Sequence, residues 1–280
     1  MIQTLLIVWR ESLEAALIVG ILLTYLARSG ERAGLRYVWA GSAAAVLAAV
    51  LCAAASDSAV GRLDPDLQEL VQAGVLFLAT AVLTWMVLWM HRNARAIRGE
   101  LHRKADRALA SGRLFGLAAI AFVAVFREGV ETALFLWGVV VQRPDAGPFL
   151  LLAAGLGGAV LAVGTAWLFF RGFAFLSLRT FFQVTGALLL LVAAGLLTSG
   201  VNKLIGLGYL PPLVPQVWNS AWLVRDDSPL GALLAALMGY RSRPSLLEVL
   251  VFFAYFPPVL WALRRADAAD TPAATTRSAA

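Results

Sequence analysis

Arg10-Glu11-Ser12-Leu13-Glu14 lies inside an apolar run, with no charge from Met1 to Trp9 and none from Ala15 to Ala27. Residues three or four apart share one helix face. Glu11 and Glu14 therefore form a carboxylate pair, and Arg10 sits one turn from Glu14, within reach of it. The pattern returns 117 positions later as Arg127-Glu128-Gly129-Val130-Glu131, with Val8, Ala16 and Leu17 matched by Val125, Ala133 and Leu134. Four Glu and two Arg leave a formal charge of −2 if all are ionised. Such a set is an all-oxygen site for a hard cation, and neither Cys nor His lies near either motif to suit a soft metal. Cation binding there would be accompanied by proton release. The small residues Ser12 and Gly129 are expected to let the two helices approach closely enough to share one ion.

Arg-Glu-x-x-Glu on a soluble helix would be an ordinary salt-bridged surface. Within an apolar span the same residues are expensive, at about 2.5–3.5 kcal/mol for a charge at the bilayer centre. Three in one span, repeated in another, call for a use.

The elements that position these motifs are membrane helices. The chain has 280 residues, 60% of them hydrophobic and 14% charged, with a mean hydropathy of +0.79. Soluble domains run at about 45–50% apolar and 25% charged. The net charge of +6 does not imply nucleic acid, because most basic residues fall between apolar runs, where the positive-inside rule accounts for them. Cys52 stands alone, so no internal disulfide can form. No basic region precedes the first apolar stretch, which reads as a retained span and not as a cleaved signal peptide.

Seven apolar segments follow, at approximately 2–27, 37–55, 70–90, 114–141, 149–170, 180–201 and 246–263. The fold expected is all-α, a polytopic membrane protein with seven transmembrane helices. With the N-terminus outside, the cytoplasmic pieces hold 15 Lys/Arg against 6 in the outer pieces, so the topology reads N-out/C-in. Residues 1–90 form a first three-helix repeat and 91–113 a cytoplasmic basic connector, read as a helix running on from the third span. Residues 114–201 form the second repeat. Three spans is an odd number, so this repeat inserts upside down relative to the first, the inverted plan of many transporters. Residues 202–245 read as an extracytoplasmic loop with short interfacial or re-entrant helices, 246–263 as the seventh span and 264–280 as a disordered cytoplasmic tail. Spans one and four then cross antiparallel with both Glu pairs near the midplane.

Other polar residues are weaker candidates. Asp226 and Asp227 can guide a cation toward the mouth or simply form a solvated turn. Asp57, Asp64, Asp66 and Glu69 make the second connection acidic, which raises local cation concentration. Gln72 and Gln183 sit early in spans three and six and either line the path or bond between helices. Glu248, three residues after Ser245, reads as a capping box opening the last span.

The two motifs in the first and fourth of seven spans resemble the oxidase-dependent iron permease family of the iron/lead transporter superfamily, and most closely its bacterial branch. The resemblance covers nearly the whole chain, including Leu83-Thr84-Trp85-Met86-Val87 with the basic stretch after it, and Val192-Ala193-Ala194-Gly195-Leu196. It implies that Glu11, Glu14, Glu128 and Glu131 are the iron-binding acids, with Arg10 and Arg127 as motif partners. It implies an inner-membrane permease, not an enzyme. Ferrous or ferric iron would be the transported substrate, and no cofactor would be held permanently. Extracytoplasmic partners would be an iron-binding lipoprotein and a haem peroxidase or other oxidase. Fungal members carry an acidic motif in the last outer loop, where this chain has Asp226-Asp227-Ser228. Competing readings are a transporter of manganese or lead through the same site, a membrane di-iron oxidase, and a structural or sensory iron binder. Di-iron sites in bundles usually add Glu-x-x-His, which neither motif has.

Overall fold

Breakers stand where the apolar runs end. Gly30 takes a left-handed φ of +79° after the first helix, and Pro65 and Pro148 each open a helix where a missing N–H costs nothing. The computed structural model describes residues 2–93, 97–110, 114–142, 147–171, 178–225, 228, 230–231, 234–235 and 239–270, and the regular structure among these is helical, with no strand. The helices are α1 (Ile2–Arg28), α2 (Arg32–Val60), α3 (Pro65–Asn93), α4 (Ile97–Ala110), α5 (Phe115–Gln142), α6 (Pro148–Phe170), α7 (Leu178–Gly206) and α8 (Leu246–Asp270).

Five of them, α2, α3, α6, α7 and α8, are long and apolar enough to cross a membrane. Helices α1 and α5 have the length, 27 and 28 residues, but each carries the three charges of its motif near the middle. Outward faces of α2 and α6 present Trp39, Leu47, Leu51, Phe149, Leu156 and Val160 to the surroundings. An exposed apolar surface on this scale is what a lipid solvent tolerates and water does not.

The inner helices are α1, α3, α5 and α7. Helices α1 and α5 run antiparallel, since Gln3 meets Gln142 at one end and Leu22 and Leu26 cluster with Leu117 and Ala121 at the other. Helices α3 and α7 are antiparallel too. Phe77 lies against Gly200, the Thr80 hydroxyl donates to the Ala193 carbonyl at 3.2 Å, and Val87 lies against Gly186. By contrast α2 runs parallel to α5, with Gly34 near Leu117, Gly41 near Ala118 and Ala49 near Gly129. In the same sense α6 runs parallel to α1, where Trp9 Nε1 donates to Thr165 Oγ1 at 3.1 Å and Leu13 packs on Ala162 and Ala166.

Two close approaches fix these parallel pairs. A Cβ on Gly41 would lie 2.2 Å from the Ala118 carbonyl oxygen, and one on Gly158 would lie 2.6 Å from that of Leu5. Only a residue without a side chain fits at either place. Gly41 and Gly158 are 117 positions apart, the same offset as the charged motifs.

Three expectations need correction, and one gains detail. Within the basic connector, α4 docks on the bundle: Ala105 is buried, and Ala108 and Leu109 pack on the cluster of Leu22, Leu26 and Leu117; residues 94–96, between it and α3, lie outside the described residues. Its tether is a hydrogen bond from the Tyr25 hydroxyl to Asp106. A small apolar stripe among the charges is what converts an exposed connector into a docked one. The last helix runs to Asp270 instead of ending at 263, because helical bonding continues through residues of good propensity; residues 271–280 of the expected tail lie outside the described residues. The apolar stretch 213–224 is irregular, not helical. There Val217 N–H donates to Pro244 O and Ser220 N–H to Ser242 O, a pairing that three prolines at 211, 212 and 215 favour over a helix. Finally Gly129 faces Ala49 of α2 and not α1, so its smallness serves the α2–α5 contact. The capping box at the start of α8 is present, with Ser245 N–H donating to Glu248 Oε2 at 2.8 Å and Glu248 N–H to Ser245 Oγ at 3.3 Å.

Candidate metal centre

Helical periodicity puts residues 10, 11 and 14 of α1 on the face that meets 127, 128 and 131 of α5. Because the two helices cross antiparallel, their carboxylates converge from opposite directions. Glu11, Glu14, Glu128 and Glu131 are all buried, as is Arg10. One carboxylate oxygen from each of Glu11, Glu128 and Glu131 lies within 4.8 Å of the others. Glu11 Oε2, Glu128 Oε2 and Glu131 Oε2 are buried without a hydrogen-bond partner. Three converging carboxylates, each with one oxygen free of a hydrogen bond, are a ligand set for one hard cation.

Glu14 is not part of that trio, and Arg10 binds it together with Glu11. Arg10 Nη2 lies 2.7 Å from Glu14 Oε1 and Nη1 lies 2.8 Å from Glu11 Oε1, while Nη1 also approaches Met86 Sδ of α3 at 3.3 Å. The guanidinium is 2% exposed and held on three sides. In the second motif Arg127 Nε lies 2.8 Å from Glu131 Oε1 and 3.9 Å from Glu128 Oε1. Its side chain is 38% exposed and lies over the faces of Trp85 and Trp89, 5.7 and 5.3 Å from their ring centroids. Both arginines thus lean on α3.

Of the weaker candidates, Gln72 is half-buried on α3 and Gln183 is exposed on α7, while Asp226 and Asp227 lie outside the described residues. Asp57, Asp64, Asp66 and Glu69 are exposed around the α2–α3 connection. Sequence reasoning did not reach Met86, Trp85 and Trp89 as neighbours of the arginines, since nothing in their spacing ties α3 to α1 and α5. It also passed over Gln3, Thr4 and Gln142, although Gln3 is eight residues before Glu11 and so on the same face of α1.

A bundle of membrane-length helices with a buried carboxylate cluster at the crossing of two antiparallel, motif-bearing helices marks a polytopic membrane protein with a candidate cation site. The chain belongs to the Iron permease FTR1 family, which matches residues 1–265. It is 34% identical over 260 residues to the ferrous iron permease EfeU of Escherichia coli O6:H1, covering 91% of this chain and 92% of that one. To the ferrous iron permease EfeU of Yersinia pestis it is 35% identical over 260 residues, covering 91% and 90%. An uncharacterized protein of Archaeoglobus fulgidus is 33% identical over 276 residues, covering 95% of each. No solved structure matches the chain.

Proposed function

We propose that this protein is an inner-membrane iron permease in which the ion passes between α1 and α5, held in transit by Glu11, Glu128 and Glu131. Family membership and the ferrous iron permeases among its relatives support iron as the transported substrate. The observation that carries the site is the convergence of three buried carboxylates, one oxygen of each lying within 4.8 Å of the others and each having an oxygen without a hydrogen-bond partner. Arg10 and Arg127 balance the negative charge of the empty site and hold the acids in register; Glu14 joins through Arg10.

The same reading has α1 and α5 spanning the bilayer with the five more apolar helices, seven in all, N-out and C-in. The support is the basic character of α4, whose Lys104, Arg103 and Arg107 follow the positive-inside rule. It also takes α1–α3 and α5–α7 as inverted repeats. In support, the α2–α5 contact mirrors the α1–α6 contact, and Gly41 and Gly158 share the offset of the motifs. Transport, not catalysis, is the role of the cluster, with no resident cofactor. An extracytoplasmic iron-binding lipoprotein and a haem peroxidase or other oxidase would deliver iron to the end of α1 remote from α4.

Uptake of ferrous and ferric iron, offered separately to purified protein in liposomes, tests this reading. Glu131→Gln should lower uptake about a hundredfold by removing one ligand. Uptake unchanged by that substitution, or iron failing to compete with manganese, would overturn it.

A further inference from the structure

A second polar cluster lies on the α1–α5 interface, at the end remote from the basic helix α4. Gln3 and Thr4 are each 1% exposed, and Gln3 Nε2 donates to Gln142 Oε1 at 3.4 Å. Thr4 Oγ1 and Gln142 Nε2 are buried with no hydrogen-bond partner. Eight residues of α1 separate Gln3 from Glu11, about 12 Å along the axis. Between the two clusters Ile7, Phe135 and Val139 are fully or almost fully buried. The order along the interface is therefore neutral polar groups, then an apolar layer, then carboxylates.

We propose that Gln3, Thr4 and Gln142 form an entry station for a hydrated divalent cation, upstream of the carboxylate site and separated from it by the Ile7–Phe135 layer. The inference rests on the permease reading. Buried polar atoms are nearly always paired, and two unpaired ones at a helix contact that leucines would fill are costly. A contact meant only to join the helices would satisfy itself. The Thr4 hydroxyl oxygen can instead accept from the polarised waters of a cation's shell, while the Gln142 amide N–H is free to donate to a water oxygen outside that shell. Being neutral, they hold the ion weakly, so that it can move on. The apolar layer then marks where water is shed before the carboxylates take over as ligands.

The test uses the full chain in liposomes and ferrous ion as the probe, with Thr4→Val as the near-isosteric variant and Gln142→Glu as its opposite. Thr4→Val should raise KM for ferrous ion about tenfold and leave the maximal rate and the equilibrium binding at the carboxylate site unchanged. Gln142→Glu should add a second bound ferrous ion per chain and slow uptake, because a charged station becomes a trap. A merely structural pair predicts neither change. If Glu131→Gln abolishes uptake while Thr4→Val keeps the original KM and Gln142→Glu binds one ion, the station is refuted and the carboxylate site stands. If Glu131→Gln leaves uptake intact, the station falls with the site it was meant to serve.

Discussion

The two copies of Arg-Glu-x-x-Glu are alike in sequence and unlike in the structure. In α1 the arginine is sealed, gripped by both of its own glutamates and backed by Met86. In α5 the arginine is more than a third exposed, bonds closely to one glutamate and lies across two tryptophans. The cluster takes one acid, Glu11, from α1 and both acids, Glu128 and Glu131, from α5. The same motif therefore sits in a sealed setting on α1 and in a partly open one on α5.

The sharpest way to break this comparison is to remove each arginine. Arg10→Leu should cost about 3–5 kcal/mol, because it strands two buried carboxylates. Arg127→Leu should cost less, about 1–3 kcal/mol, because the lost arginine is partly exposed although it leaves the buried Glu131 without its partner. Unfolding of the two variants in detergent micelles measures both, and equal losses would erase the asymmetry. Next come the acids. Glu131→Gln should weaken ferrous binding about a hundredfold and Glu14→Gln about tenfold, the latter acting only through Arg10. Titration calorimetry on purified protein separates them, and a larger loss for Glu14→Gln would mean that the trio is wrongly drawn. Third, Gly41→Ala and Gly158→Ala should each cost about 1–3 kcal/mol by forcing apart α2 from α5 and α6 from α1. Similar losses in thermal unfolding would bear out the mirrored packing of the halves. The smallest effect is expected for Trp89→Ala, about 0.5–1 kcal/mol through the lost contact with Arg127. The same substitution should leave the environment of Arg10 untouched, which unchanged unfolding of the Trp89→Ala, Arg10→Leu pair relative to Arg10→Leu plus that increment would register.

Much of this was legible in the residues. Long apolar runs gave the helices to within a few positions, and three-residue spacing put each Glu pair on one face. Charge in an apolar setting singled out Glu11 and Glu128, and the fold brings their carboxylates together. What escaped was the set of contacts that depend on how helices pack. Gly129 turned out to face α2, and Met86, Trp85 and Trp89 approach the arginines only because α3 lies beside both motif helices. The docking of α4 rests on Ala105, Ala108 and Leu109, a stripe too short to stand out from seven basic neighbours. Gln3 and Gln142 are brought together by the antiparallel crossing, across a sequence separation that no local pattern bridges.

The central claim is that one ion is held by both motifs at once, and ferrous binding to Glu11→Gln and Glu128→Gln measured side by side tests it most directly. Each variant, altered in a different helix, should lose about a hundredfold in affinity, and the double variant should lose little more because the site is already broken. Binding at the original affinity and stoichiometry in either single variant would contradict a site shared between α1 and α5.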